Sequence, residues 1–193
     1  MPRKDLLALL KGGDQRSIGG ADQVAASVAK KHGMFPNLIA GLRSTDPLVR
    51  MRAADAAEKV TRKNHELLQP YQKDLLELMV ELMAQTKEQE MRWHWAAMIS
   101  RLRLSARERQ HAVSLLKAYL EDRSSLAKTS ALQGLADLAQ QDSSLRSHVV
   151  ELLHESTRNG TPAMKARCRK LLLQQKARDA ITPTMHADAL IAA

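Results

Sequence analysis

The chain has 193 residues, 44% of them hydrophobic but only 3% aromatic, so Leu, Ala and Met must build most of its core. Those residues favour helices, and too few aromatic and β-branched residues are left for a many-stranded fold. Its formal charge of +9 points to an acidic or polyanionic partner, or simply to a cationic solvated surface.

The N-terminus, Met1-Pro2-Arg3-Lys4-Asp5-Leu6, is interrupted at once by Lys11-Gly12-Gly13-Asp14 and so reads as no signal peptide. No window approaches the apolar length of a membrane span. Cys168 is the single cysteine, which excludes an intrachain disulfide. These features together predict a cytoplasmic protein with no membrane contact.

In chain order, residues 4–11 read as a short helix, and Gly12-Gly13 and Gly19-Gly20 break the chain before a helix starting near Asp22. Amphipathic helices are then expected at about 35–43, 66–84, 105–121 and 144–158. In the second of these, Leu75, Leu78, Met79, Leu82 and Met83 keep the spacing of a buried stripe. Each is followed by a second helix that opens on a shared pattern, a basic residue beside small or apolar ones. The four openings are Val49-Arg50-Met51-Arg52-Ala53-Ala54, Met91-Arg92-Trp93-His94-Trp95-Ala96, Ala127-Lys128-Thr129-Ser130-Ala131-Leu132 and Met164-Lys165-Ala166-Arg167-Cys168-Arg169. They recur about every forty residues, which is the period of a helix-pair repeat.

Local start signals support these divisions. Asp46-Pro47 and Thr161-Pro162 each place a cap ahead of a proline at the first helical position. Ser105 and Glu108 have capping-box spacing, and Asp142 with Ser143 and Ser144 offers caps for the helix after them. The last stretch, 179–193, is too short in amphipathic pattern to dock and reads as a flexible tail.

The segment Thr45-Asp46-Pro47-Leu48-Val49-Arg50-Met51-Arg52-Ala53-Ala54 resembles the turn and second helix of a HEAT repeat. The resemblance covers roughly residues 34–176 and implies an all-α, right-handed α-solenoid of about four HEAT-like antiparallel helix pairs. In that reading residues 34–178 are the repeats, 1–33 cap the array and 179–193 follow it. It also implies that the turn aspartate and the following basic residue join neighbouring repeats, a role that falls to Asp46, Arg50, Arg92, Lys128 and Lys165. The second repeat has no recognisable turn aspartate, and the third and fourth carry lysine where arginine is usual. HEAT proteins as a family are scaffolds for protein partners, and one branch of them includes alkylpurine DNA glycosylases.

In a HEAT-like stack the second helices line the concave side. Residues two, five and nine places after each basic position share one mostly polar helical face. That face comprises Arg52, Asp55, Lys59, His94, Arg101, Ser130, Gln133, Arg167 and Lys170, and with Trp93 these are the expected partner-binding groove. An ordinary solvated face is the alternative. Trp93 and Trp95 point about 200° apart, so one belongs to packing and the other is a candidate anchor. The densely basic run Lys165 to Arg178 is either a phosphate- or acid-binding helix or a polar capping face.

The glycine-rich loop 12–20 has no Gly-Lys-Ser or Gly-Lys-Thr and reads as a connector. His148 and His154 do not share a face at ligand spacing, so no metal site is expected, and no cofactor or catalytic motif is found. A protein-interaction scaffold holding a helix or acidic segment is therefore the leading expectation. The runner-up is a nucleic-acid-binding module, at its extreme a glycosylase using Asp55, Asp137 and Trp93. Arg52 and Arg167 are expected on one exposed surface, where their reversal would spare stability.

Overall fold

The computed structural model describes residues 6–13, 19–84 and 89–191, with backbone alone for 82–84, 89–90 and 180–191. All regular structure among them is helical. The α-helices are α1 (Ala21–Lys30), α2 (Phe35–Gly41), α3 (Pro47–Thr61), α4 (Gln72–Ala84), α5 (Gln89–Ile99), α6 (Ala106–Tyr119), α7 (Ser125–Gln141), α8 (Arg146–Asn159) and α9 (Pro162–Ile191). Short 3₁₀ turns at Leu6–Leu10, His32–Met34, His65–Tyr71 and Ser143–Leu145 complete the order. No described helix is long and apolar enough to cross a membrane.

The boundaries follow from local chemistry. Asp46 accepts a bond from the Leu48 amide at 2.9 Å, and Pro47 follows where no N–H is needed. Ser105 and Glu108 close a reciprocal capping box on α6. The helix expected from residue 66 begins as a 3₁₀ turn, because Pro70 lies inside it and cannot donate to an α-helical ladder. α9 continues through Ile191, so the backbone of the segment read as a tail is helical. The side chains after Asp179, and residues 192–193, lie outside the described residues.

Each odd-numbered helix from α1 to α9 packs on the next odd-numbered one, and each even-numbered helix lies against the odd one that follows it. The contact between α5 and α7 includes a close backbone approach. A Cβ added at Gly134 would stand 2.8 Å from the carbonyl oxygen of Ala96, so only glycine permits this approach. Ala96 meets Gly134, and Ser100 accepts from Gln141 at 2.5 Å, so the two helices run parallel. α8 and α9 are antiparallel, with Arg146 pairing Asp179 at 3.4 Å while Cys168 lies by Thr157 and Ser156. α3 packs through Ala53, Ala54, Ala56 and Ala57, all fully buried. Cys168 is buried too, and burial pushes its thiol up against the smaller effect of those two hydroxyls.

Arg52 departs from the sequence expectation. It is only 1% exposed, and it donates to the carbonyls of Leu10 at 2.8 Å and Gly12 at 2.5 Å. Gly12 and Gly13 take positive φ angles of 76° and 77°, a left-handed turn that favours glycine, in the segment that supplies these carbonyls. A Cβ at Gly19 would collide with the guanidinium at 2.7 Å. The described part of the glycine-rich loop is thus a cradle for a buried charge; residues 14–18 lie outside the described residues.

This geometry reverses the expected stability pattern. Arg52→Ala leaves two backbone acceptors without their donor inside the fold and should cost about 2–4 kcal/mol. Arg167→Ala, on a half-buried site, should cost about 1 kcal/mol or less. Urea denaturation of the two variants checks the contrast. Equal losses would mean that the cradle contributes little.

Candidate functional site

A cleft of about 570 Å³ opens across α3, α5, α7 and α9. α3 supplies Glu58 and, just past its end, Arg62; α5 and the residues after it supply Trp93, Ala97, Ser100 and Arg101. α7 contributes Thr129, Ser130, Gln133, Asp137, Gln140 and Gln141, and α9 contributes Arg167. The floor is therefore assembled from segments far apart in sequence, brought edge to edge by the close packing of the odd-numbered helices.

Its two carboxylates sit in unlike surroundings. Glu58 is 3% exposed and holds two guanidinium groups, Arg62 at 2.6 Å and Arg101 at 2.6 Å. Burial pushes its pKa up, but the hydrogen bonds from Arg62 and Arg101 outweigh that and hold it below the ordinary value. Arg101 also donates to the Glu58 carbonyl at 2.8 Å and to the Thr61 hydroxyl at 2.9 Å, tying the end of α5 to α3.

Asp137 is half-buried and accepts from Gln133 Nε2 at 2.8 Å and from Ser100 Oγ at 3.3 Å. Burial raises its pKa against those two hydrogen bonds and the attraction of Arg101 and Arg178. Arg167 Nη1 in turn donates to Gln133 Oε1 at 3.1 Å. A hydrogen-bonded chain Arg167–Gln133–Asp137–Ser100 thus crosses from α9 through α7 to the end of α5.

Of the residues expected in a groove, the structure brings Trp93, Arg101, Ser130, Gln133 and Arg167 into this cleft. Asp55 and Lys59 lie elsewhere, in a cluster where Lys59 reaches Asp22 at 2.5 Å and Asp55 at 2.7 Å. Burial lowers the Lys59 pKa, but those two hydrogen bonds outweigh it and raise the value. Lys170 is exposed on α9 and does not line the cleft. Arg52 and His94 are corrections: both are buried, not displayed on an open face.

The physical reason is a rotation of the face. Two places after the basic residue, a side chain points back toward the preceding element. Arg52 reaches the N-terminal turn, His94 feels Glu58, Lys59 and Arg62 of the α3 region, and Arg167 touches Gln133 of α7. The cleft draws on positions one, eight and twelve as well as two, five and nine, which is why Glu58, Arg62 and Ser100 were not among the expected groove residues. Trp95 is 1% exposed and belongs to the core, while Trp93 is half-buried at the cleft.

The expected inter-repeat residues also separate. Asp46 caps α3, and Arg50 donates to the Ser44 carbonyl at 2.6 Å. Arg92 forms an ion pair with Asp122, a buried carboxylate in the turn before α7 that sequence reading passed over. The signal was present, since Asp122 stands ahead of Ser124 and Ser125 much as Asp46 stands ahead of α3; its Oδ1 accepts the Ser124 amide at 2.7 Å. No ion pair joins Lys128 or Lys165 to another described residue.

Two pH effects follow. Because the folded pKa of Asp137 is raised, its protonated form is the better tolerated one. The associated stability is present below the ordinary value of 3.8 and is lost as pH rises through the raised pKa. Asp137→Asn should therefore lift the Tm at neutral pH by about 2–4 °C, and the gain should fade in acid. Burial drives His94 down to about 3 from 6.5, so it is neutral in the fold. Its stability is full above 6.5 and is lost as pH falls from there toward about 3; His94→Gln should flatten this limb of a Tm-against-pH curve. No protein family matches the chain, and neither does any curated protein or solved structure.

Proposed function

We propose that the chain is a HEAT-like α-solenoid of about four helix pairs, acting as a scaffold whose cleft across α3, α5, α7 and α9 holds a segment of a protein partner. The successive packing of the odd-numbered helices supports the solenoid reading, with the even-numbered helices as first members of the pairs. The observation that carries the functional reading is the mixed charge of the cleft. Arg62 and Arg101 share the Glu58 carboxylate, which cancels one of their two charges and reduces the positive field they offer a polyanion. Polar neutral groups from α7 fill the space between the charges, as a peptide with both donors and acceptors requires.

The second reading, a nucleic-acid module, draws on Trp93 and Asp137 lining one cleft and on the +9 charge of the chain. The paired arginines weigh against it, because salt-dependent phosphate binding needs cations free to neutralise phosphates.

A photo-crosslinking residue at Ser130 should capture a protein adduct in cell extract. The adduct should survive nuclease and weaken at least about tenfold with Arg167→Glu, while the melting temperature moves by only about 1–3 °C. The same crosslinker at Arg169, on the exposed side of α9, is the control. Adducts destroyed by nuclease would overturn the scaffold reading.

A further inference from the structure

Asp137 is the cleft carboxylate that the fold orients but does not neutralise. Glu58 meets two guanidinium groups, whereas the two hydrogen-bond donors to Asp137, Gln133 and Ser100, are both neutral. Arg101 and Arg178 attract it, but no ion pair joins Asp137 to another described residue. A half-buried carboxylate without a counter-ion is unfavourable for folding, and an amide in its place would keep both hydrogen bonds. Neutral donors, one on α7 and one just past α5, fix its direction, and no described residue takes up its charge.

Its setting indicates what would. Ser130 and Asp137 lie two turns apart on α7, about 10 Å along the axis, and both line the cleft. Trp93 stands two turns before Ser100 on α5, so the ring is set back from the carboxylate along the parallel helix pair. Arg167, held by the neutral Gln133, adds one cation from α9. The cleft thus offers an anionic point, a cationic point and an aromatic wall. A nucleic-acid strand repeats one sign of charge, whereas a peptide can present both. One carboxylate with a hydroxyl and an amide is too small a donor set for a divalent cation.

We propose that Asp137 is the subsite for a cationic side chain of the partner segment, a lysine ammonium or an arginine guanidinium, whose stem runs along the cleft toward Trp93. This rests on the scaffold reading of the cleft. The bond formed is a charge-assisted one to a carboxylate already oriented, so little ordering is needed when the partner arrives.

The test uses small probes on the full chain. Nα-acetyl-lysine-N-methylamide and its arginine counterpart are titrated against the norleucine analogue, with NMR shifts of the Gln133 side-chain amide and the Trp93 indole as readout. The cationic probes should bind about tenfold more tightly than norleucine. Asp137→Asn should reduce them to the norleucine level without loss of melting temperature, and Asp137→Glu should keep the preference for a cation. Equal binding of all three probes, or a lysine response unchanged in Asp137→Asn, would sink the proposal. So would saturation at Asp137 by a cationic nucleoside such as N7-methylguanosine with no response to lysine. If Ser130 crosslinks protein equally well in the wild type and in Asp137→Asn, the scaffold stands and the cation subsite falls. If lysine binds at Asp137 while Ser130 captures only nucleic acid, the subsite stands and the scaffold reading falls.

Discussion

The cleft depends on how closely the odd-numbered helices approach one another. Gly134 faces the backbone carbonyl of Ala96 with no room for a methyl group, and the alanines of α3 do similar work one helix earlier. When helices pack through small residues, little side-chain bulk separates them, and polar groups on their rims come within hydrogen-bond reach. That is why Gln141 can cap the Ser100 carbonyl and why Arg101 can reach both Glu58 and Thr61. A larger residue at the seam would push the rims apart and dissolve these links before it damaged the core.

Within that frame the protein treats buried charge in three ways. Arg52 donates to the Leu10 and Gly12 carbonyls beside a left-handed glycine turn, a structural use that closes the N-terminal turns onto α3. Glu58 is neutralised by two arginines, and breaking such a buried group from its partners typically costs about 3–5 kcal/mol. Asp137 is oriented and left charged in an open cleft. The first two arrangements strengthen the fold. The third weakens it, and perturbed groups of that kind gather where a protein binds or reacts.

Several features were legible without coordinates because they are encoded within a few residues. Asp46-Pro47 caps α3 and Ser105 with Glu108 boxes α6, both as their local spacing implied. Trp93 and Trp95 occupy opposite sides of α5, since residues two apart on a helix point about 200° from one another. Asp122 was overlooked because its partner, Arg92, belongs to an earlier helix, and a pairing across that distance leaves no mark at either position alone.

The sequence by itself determined that the chain is helical, where most helices begin, and that the openings of α3, α5, α7 and α9 share a pattern. Periodicity reports which residues lie on one side of a helix, but it does not say what stands opposite that side. Only the packed structure decided that the second position after the basic residue is buried on α3 and α5, at Arg52 and His94, but lines the cleft on α7 and α9, at Ser130 and Arg167. The cleft therefore takes in Trp93 and Ser100, one step around α5 from the expected face, together with Gln133 and Asp137 on that face of α7. The phase is set by which small residues let neighbouring backbones touch, and that is a property of pairs of helices, held by neither helix alone.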